Sequence, residues 1–317
     1  MESIILTICS LLLLYSSFGA NFNAQNFIPN AQAETANKFT YHLAPAKRIN
    51  FPYRVRGVPQ FDVKMLTAQN AAVIDEDTGR VLFEKDSYDK KSIASLTKLM
   101  TAVVWWEING DLKKVIKIEG DDYRDGGISY FISGESVTAK DLLYTGLIAS
   151  SNSAMAALVR STGLGTESFV ELMNGKAQEL GMKNTRFKEP TGLDFKNIST
   201  ATDLFILTRE AFKNPVISEI TQLEEYKFRP LGKSVFRVVR NTNWLLSDSL
   251  NEDGYQIVGG KTGYIDESGY NLVVKAFSKE KNKNLIIVIL GSADKGSRFE
   301  EAKKLIEWSY SNHVWSI

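Results

Sequence analysis

Hydrophobic residues at helical spacing predict a helix that begins at Ser95. The apolar positions fall near i, i+3, i+4, i+7 and i+10: Leu96, Leu99, Met100, Val103 and Trp106. Such a pattern places one apolar stripe against a protein core. Asn109-Gly110 follows and is a typical helix stop, so the helix is expected to end there.

Alternating and continuous apolar runs predict strands toward both ends of the chain. Residues 71–75 and 80–84, joined by a turn at Asp77-Thr78-Gly79, predict a β-hairpin. The C-terminal third contains four further strand-like segments: 234–240, 256–262, 270–277 and 285–290. A closing helix is expected from Arg298 to about Tyr310.

The middle of the chain, from about residue 113 to 213, is predicted to be mostly helical. Its strongest helical stretches are 141–162 and 167–181, and Glu189-Pro190-Thr191-Gly192 is a loop. This order predicts an α/β (α+β) protein, in which a sheet forms from both chain ends and a helical lobe is inserted between them. A cleft between the two parts is the expected position of an active site.

The first residues differ in composition from the rest. An apolar stretch over 4–15 is followed by small residues, as in a secretory signal, although Glu2 replaces the usual positive charge. Residues 1–33 are therefore expected to be a signal peptide, or an N-terminal anchor if uncleaved, with cleavage after Ala31-Gln32-Ala33 or near Ser17-Phe18-Gly19. A connecting segment over 34–64 and a folded domain over 65–317, ordered from near Ala68, would follow. The protein is expected to be exported to the periplasm or cell envelope, with membrane contact only through this segment.

Composition limits the kinds of function and catalytic group that the chain can have. The 317 residues are 44% hydrophobic and 24% charged, with a net charge of +1, which argues against nucleic-acid binding. Cys9, the only cysteine, lies in the expected leader, so the mature chain would have no disulfide and no thiol nucleophile. His42 and His313 are isolated and are expected at the surface, which makes a metal site or an imidazole base improbable. No cofactor is expected.

Three short polar motifs occur in a defined order. They are Ser95-Leu96-Thr97-Lys98, Ser150-Ser151-Asn152 and Lys261-Thr262-Gly263. Ser-x-x-Lys alone is uninformative, because the chain contains it four times. The ordered set of three is the pattern of serine enzymes that form an acyl-enzyme.

Ser95 and Lys98 can form a nucleophile and base pair. Residues three apart on a helix share a face, and a serine hydroxyl needs a base to become nucleophilic. Lys98 must then be neutral. Lowering the pKa of an amine from about 10.4 to about 7 disfavours its charged form by about 4 kcal/mol. Burial in the cleft and the nearby cation Lys261 are expected to provide this.

The other two motifs supply groups around the reacting bond. The Ser150 hydroxyl could relay a proton to the leaving amine, and the Asn152 amide could bind a substrate carbonyl or the Lys98 side chain. Lys261 and Thr262 could bind a terminal carboxylate. The Tyr264 N–H would act with that of Ser95 as an oxyanion donor, and Gly263 would let a substrate backbone approach.

Over residues 68–308 the sequence resembles the D-alanyl-D-alanine carboxypeptidases among the low-molecular-mass penicillin-binding proteins. The stretches that carry the resemblance are Ala94-Ser95-Leu96-Thr97-Lys98-Leu99-Met100-Thr101, Met173-Asn174-Gly175-Lys176-Ala177, Leu180-Gly181-Met182, Ser199-Thr200-Ala201-Thr202-Asp203, Asn241-Thr242-Asn243 and Gly260-Lys261-Thr262-Gly263-Tyr264. The resemblance implies a β-lactamase/DD-peptidase-like fold, with an antiparallel sheet flanked by helices. It also implies a serine DD-peptidase that forms an acyl-enzyme on Ser95, peptidoglycan stem peptides as substrates and β-lactam antibiotics as covalent inhibitors. By the same resemblance Lys98 is the general base, Ser150 and Asn152 form the second motif, and Lys261 contacts substrate.

Some features depart from the carboxypeptidases and leave alternatives open. Ser153-Ala154 follows Asn152, where the carboxypeptidases usually have Asp-Ala. The loop beginning Glu189-Pro190 and the chain end at Ile317 resemble the branch of D-alanyl-D-alanine endopeptidases, which cut cross-links. Glu189 could also mimic the deacylating glutamate of a class A β-lactamase. A catalytically silent envelope binding protein is the remaining alternative, and the intact motifs argue against it.

Overall fold

A five-stranded antiparallel sheet joins the two ends of the folded chain. The computed structural model describes residues 51–108, 110–248, 250 and 254–315, which belong to the compact unit Ile49–Ile317. In spatial order the strands are β10 (Tyr255–Ile265), β11 (Gly269–Ser278), β12 (Lys283–Ser292), β2 (Asn70–Asp75) and β3 (Val81–Lys85). The predicted hairpin and the predicted pairing of both chain ends are thus confirmed. In the described chain, β10 forms an outer edge of this sheet.

Helices cover both faces of the sheet and form the lobe between its halves. The seven α-helices of the described residues are α1 (Thr97–Ile108), α2 (Ala139–Ile148), α3 (Asn152–Arg160), α4 (Thr166–Glu179), α5 (Ala201–Lys213), α6 (Pro215–Gln222) and α7 (Ser297–Asn312). Among the described residues, no helix combines the length and the apolarity that crossing a membrane requires.

Short strands form four two-stranded ladders around the sheet. The pairs are β1 (Pro52–Arg54) with β13 (His313–Trp315), β4 (Lys91–Ser92) with β7 (Ile198–Ser199), β5 (Val115–Lys117) with β6 (Ser136–Thr138), and β8 (Glu225–Phe228) with β9 (Arg237–Arg240). All four pairs are antiparallel.

The alternation of side chains along β12 divides the core into two layers. Ile286 and Val288 join the cluster that contains α1 and the helical lobe, whereas Leu285 and Ile287 join the cluster beneath α7. Successive strand residues point to opposite faces, so a strand buried on both faces is apolar throughout. A shift of register by one residue would exchange the two sets, so this strand holds the sheet in register between the helical layers.

The long helical stretch predicted over 141–162 is interrupted. Helix α2 ends at Ile148, and α3 begins at Asn152 after Ser150, whose φ of +61° lies in the left-handed region. The Ser151 side chain caps α3 by accepting a hydrogen bond from the Ala154 N–H. Ser150-Ser151-Asn152 thus form a turn between two helices, which projects these polar groups from the end of a buried helix.

Several sequence expectations are wrong or lie outside the described residues. Ordered structure begins before Ala68, because β1 pairs with β13. His313, expected at the surface, is 4% exposed, and its Nδ1 lies 2.9 Å from the Ser309 carbonyl oxygen. Strand β9 is shorter than predicted, and β8 was not predicted. The expected leader with Cys9, and also His42 and Asn109, lie outside the described residues.

A loop after α4 is locked against the turn that carries Ser95. Thr101 Oγ1 donates a 2.6 Å hydrogen bond to the Pro190 carbonyl, and Asn197 Nδ2 donates one of 3.1 Å to Thr97 Oγ1. Gly192 has a φ of +93°, and a Cβ built there would lie 2.1 Å from the Ala94 carbonyl oxygen. The backbone of this loop therefore lies so close to the Ser95 turn that only glycine fits at position 192.

Gly192→Ala is expected to lower the free energy of unfolding by at least about 2 kcal/mol, because it adds a strained positive φ to a backbone overlap. Gly175→Ala is the matched control, since Gly175 lies within α4 and a Cβ there would meet nothing within 4 Å. That control should gain about 0.5–1 kcal/mol. Urea unfolding of both variants tests this, and equal stability of Gly192→Ala and the parent would contradict the close packing.

Candidate active site

Ser95 lies on a short 3-10 turn that leads directly into α1. The turn spans Ala94–Leu96, and Ala94 has a positive φ of 46°. Ala94 and Leu96 are fully buried and fix the turn to the core, while Ser95 is half-buried and faces a cleft. One turn later, Lys98 Nζ lies 2.8 Å from Ser95 Oγ. The predicted pairing of hydroxyl and amine is therefore present.

Lys98 is fully buried, and oxygen atoms surround its amine. Besides Ser95 Oγ, its Nζ contacts Asn152 Oδ1 at 2.7 Å and the Thr191 carbonyl oxygen. Burial lowers the pKa of Lys98 to about 7, and the Glu189 carboxylate opposes this by favouring the charged form. The sequence expectation attributed the shift to burial together with Lys261. Burial is the dominant cause.

The neighbours of Lys98 suit a neutral amine. Asn152 Oδ1 and the Thr191 carbonyl can only accept, so they match the two N–H bonds of an uncharged amine. The Asn152 amide is oriented by its Nδ2, which donates to the Asp125 carbonyl at 2.7 Å and the Gly126 carbonyl at 3.3 Å. Of the three described oxygen partners, only Ser95 Oγ carries a proton that it can give. The amine lone pair can therefore accept the Ser95 proton without any rearrangement of the pocket.

Lys261 approaches the same site from the sheet. Its Nζ donates to Ser150 Oγ at 2.8 Å and to the Thr262 carbonyl at 3.0 Å, and its side chain is 1% exposed. Burial lowers its pKa well below the usual value, and the cations Lys98 and Arg298 add to this. Ser150, in its left-handed turn, is thus held at its hydroxyl by a buried lysine.

Ser153, the residue after Asn152, has a structural role. Ser153 Oγ accepts a 3.0 Å hydrogen bond from the Arg124 N–H, and Asn152 binds the next two carbonyls of the same loop. The loop continues into Gly126 and Gly127, which line the cleft. Ser153, where the sequence departs from the carboxypeptidase pattern, therefore fastens one wall of the cleft.

The third motif lies on the edge strand β10. Thr262 Oγ1 lies 2.6 Å from Thr242 Oγ1, and Tyr264 is 46% exposed. A Cβ built on Gly263 would lie 2.9 Å from the Ile93 carbonyl oxygen and 3.1 Å from the Ser95 nitrogen. Gly263 therefore allows β10 to pack against the Ser95 turn, and its expected role of admitting a substrate backbone stays a prediction.

The three motifs meet at one cleft of about 780 Å³. The lining comes from strand β10, the Ser95 turn, the second motif and the loop that contains Gly126 and Gly127. It also includes residues that the sequence patterns did not indicate. They are Ser95, Gly126, Gly127, Ala149, Ser150, Asn152, Gly192, Leu193, Asn241, Thr242, Trp244, Thr262, Gly263, Tyr264, Ile265, Asp266, Glu267, Tyr270, Lys295 and Arg298. Lys98 and Lys261 lie behind this lining. Lys261 thus reaches the cleft through Ser150, and the substrate contact that the family resemblance implies for it stays a prediction.

Arg298 is the main functional candidate that the sequence interpretation missed. Its side chain is 4% exposed, and Nη1 donates to the Gly263 carbonyl at 3.1 Å and the Asn271 carbonyl at 3.2 Å. Burial lowers its pKa to about 10, so it remains charged at neutral pH. A signal was present: Arg298 precedes Ala302 and Leu305 on the apolar stripe of the last helix, where a charge is unusual.

Glu189 does not face the cleft. Its Oε2 accepts from the Thr191 N–H at 2.7 Å and from Thr191 Oγ1 at 2.6 Å, and its Oε1 accepts from Gly192 N–H and from Asn197 Nδ2 at 2.9 Å. The carboxylate therefore organises its own loop. Its geometry does not match a glutamate that positions a deacylating water, as the β-lactamase alternative requires.

Comparisons with known proteins agree with this geometry. Residues 58–294 match the family described as D-alanyl-D-alanine carboxypeptidase. A D-alanyl-D-alanine endopeptidase of Pseudomonas aeruginosa is 34% identical over 255 residues, covering 80% of each chain. The D-alanyl-D-alanine carboxypeptidase DacF of Bacillus subtilis is also 34% identical, over 78% of this chain and 63% of its own length.

Solved structures of related enzymes have the same fold as this chain. The DD-transpeptidase of Streptomyces K15 superposes with a TM-score of 0.73 at 27% identity, over 80% of this chain and all of its own. A D-alanyl-D-alanine carboxypeptidase of Mycobacterium tuberculosis gives 0.72 at 28% identity, over 83% and 99%. The fold inferred from the sequence resemblance is confirmed. With the motif residues assembled around a single cleft, the chain belongs to the D-alanyl-D-alanine carboxypeptidase family of serine peptidases.

Proposed function

We propose that this chain is a serine-type D-Ala-D-Ala carboxypeptidase that acts on peptidoglycan stem peptides through an acyl-enzyme on Ser95. One observation carries the proposal: the buried Lys98 amine lies 2.8 Å from a serine hydroxyl that faces the cleft. A base with a pKa near neutrality, within hydrogen-bond distance of its nucleophile, is what general-base catalysis of acyl transfer requires.

Acylation begins when neutral Lys98 takes the Ser95 proton. Ser95 Oγ bonds to the carbonyl carbon of the penultimate D-alanine, and the peptide C–N bond then breaks. The leaving nitrogen takes a proton from the Ser150 hydroxyl, which recovers one from Lys98. Water subsequently attacks the ester with Lys98 as base, releasing the shortened peptide and restoring the Ser95 hydroxyl.

The cleft supplies recognition as well as chemistry. The edge of β10 can pair with an extended peptide. The N–H groups of Ser95 and Tyr264 would stabilise the oxyanion, and the close packing at Gly263 holds these two segments together. Thr262 and the charged Arg298 would bind the terminal carboxylate. A β-lactam would be trapped as the corresponding ester on Ser95.

Cleavage of cross-links is the second candidate function. Besides the relative from Pseudomonas aeruginosa, proteins of Escherichia coli and Haemophilus influenzae named D-alanyl-D-alanine endopeptidase are 30% and 33% identical to this chain. The chain covers 80% and 81% of their lengths. Both activities use the same ester chemistry and would place the protein in the periplasm or cell envelope, exported by the segment 1–33.

Ser95→Ala should abolish covalent labelling by a fluorescent penicillin, because Lys98 forms no hydrogen bond with another hydroxyl of the described residues. Ser87→Ala is the control: Ser87 opens another Ser-x-x-Lys, but its Oγ donates to Glu84 at 2.7 Å. Labelled protein after electrophoresis gives the measurement. Retention of label in Ser95→Ala would refute the nucleophile assignment.

The rate of penicillin acylation should rise with pH and level off above about pH 7, since the pKa of Lys98 is about 7 and only its neutral form acts as base. At pH 6 the rate should be about a tenth of the plateau. The Glu189 carboxylate favours protonated Lys98, so Glu189→Gln should move this limb to lower pH. Stopped-flow measurements of the acylation rate of both proteins across pH test the direction of this shift. A move of the limb to higher pH would contradict it.

The purified soluble chain should release D-alanine from a disaccharide pentapeptide ending in D-Ala-D-Ala. The same peptide ending in D-Ala-L-Ala should resist, because inversion turns the carboxylate away from Thr262 and Arg298. Mass spectrometry of the products gives the measurement. Penicillin labelling without D-alanine release would exclude the carboxypeptidase and leave cross-link cleavage as the candidate.

A further inference from the structure

The cleft extends past the position proposed for a terminal carboxylate. Thr262 lies against Thr242, and two residues further along the chain Trp244 also lines the cleft. Lys295 lines it as well, three residues before Arg298. Trp244, Lys295 and the underlying Phe299 are called here the Trp244 corner. It adjoins the position proposed for the carboxylate of the leaving D-alanine, because Arg298 Cζ lies 4.7 Å from the Phe299 ring centroid.

The aromatic face of this corner is held rigidly. Trp244 stacks on Phe299 with ring centroids 5.2 Å apart and an interplanar angle of 27°. Phe299 is 3% exposed and anchored in the core beneath α7, whereas Trp244 is 50% exposed. The buried Asn243 side chain accepts a hydrogen bond from the Leu245 N–H and fixes the turn that presents the ring. A half-exposed indole held in one orientation is typical of a binding surface.

Lys295 gives this corner a positive charge. Lys295 Nζ lies 4.5 Å from the Trp244 ring centroid and forms no ion pair with a described carboxylate. The neighbouring Asp294 is engaged elsewhere, because its carboxylate accepts from Gly296 N–H and Ser297 at the start of α7. With Arg298, the corner presents two cations. The acidic cleft residues Asp266 and Glu267 follow β10, beyond Tyr264.

A departing D-alanine would use only part of this surface. It has one carboxylate, which Thr262 and Arg298 can bind, and a methyl side chain too small to cover an indole. A second cation beside an exposed aromatic ring fits a leaving group with a longer side chain and a further carboxylate. The second stem peptide of a cross-link has both features, because it leaves as an amine with its own carboxylates.

We propose that the Trp244 corner binds the leaving peptide of a cross-linked stem-peptide dimer. This inference rests on the proposed acyl-enzyme chemistry and extends its substrates to cross-links. Ser95 Oγ bonds to the D-alanine carbonyl, and the bond from that carbonyl to the nitrogen of the second peptide breaks. The leaving amine takes a proton from Ser150, and water then hydrolyses the ester. Lys295 pairs with a carboxylate of the departing peptide, and Trp244 packs on its side chain.

The test compares two substrates in the full soluble chain: a disaccharide pentapeptide and its cross-linked dimer. Lys295→Glu and Trp244→Ala are each expected to lower kcat/KM for the dimer about tenfold more than for the monomer, a difference of about 1.4 kcal/mol. The matched controls are Lys304→Glu, an exposed lysine on α7, the helix that follows Lys295, and Phe51→Ala, a residue that is also 50% exposed. Neither control residue lines the cleft, and both variants should leave the ratio between the substrates unchanged.

The outcomes separate this inference from the proposed function. A wild-type chain that releases D-alanine from the monomer but leaves the dimer intact overturns the inference alone. Variants that leave the ratio of kcat/KM between dimer and monomer unchanged, including by an equal loss on both substrates, also overturn it. The penicillin acylation rate of each variant shows whether Ser95 remains reactive. A wild-type chain that neither binds penicillin nor cleaves either substrate defeats the proposed function instead.

Discussion

The burial of the Lys98 amine is the constraint on which the rest of the site depends. A protonated amine removed from water loses several kcal/mol of hydration, so burial favours the neutral form, and the pKa falls to about 7. The hydrogen-bond partners of this amine come from the Ser95 turn, the start of α3 and the loop after α4. Three distant segments must therefore fold together before the base exists, which makes catalytic competence a property of the packed core.

Lys261 and Arg298 respond differently to burial because their charged groups differ. Lys261 has its pKa lowered by burial and by Lys98 and Arg298, whereas Arg298 keeps a pKa of about 10. A guanidinium delocalises its charge and is weakly hydrated, so it tolerates the same burial better than an ammonium. Arg298 is thus suited to hold a permanent charge for a substrate carboxylate. The opposing Glu189 limits how far the pKa of Lys98 falls and keeps it near the pH at which the base must work.

Sequence patterns predicted the parts of this molecule that depend on local periodicity. The spacing of Leu96, Leu99 and Met100 predicted α1, and the order of the three motifs predicted that Ser95, Ser150 and Lys261 converge. The Thr191 contribution could not be predicted, because a backbone carbonyl leaves no mark in side-chain identity. The roles of Gly263 and of His313 depend on which distant segment packs against them. Gly263 packs against the Ser95 turn, and His313 pairs with strand β1. Only the tertiary structure reveals these neighbours.

Reactivity and selectivity occupy different layers of the site. The Lys98 amine and Lys261 lie behind the cleft lining, where the sheet core and the helical lobe fix their positions. The groups proposed to select substrates, including Trp244, Tyr264 and Lys295, lie at the exposed rim and contact Lys98 through none of the described hydrogen bonds. A substitution at the rim can therefore change which peptide leaves without changing the protonation of Lys98. This separation would allow one buried lysine to serve both proposed activities, the release of D-alanine and the cutting of a cross-link, since the ester on Ser95 is common to both and only the departing group differs.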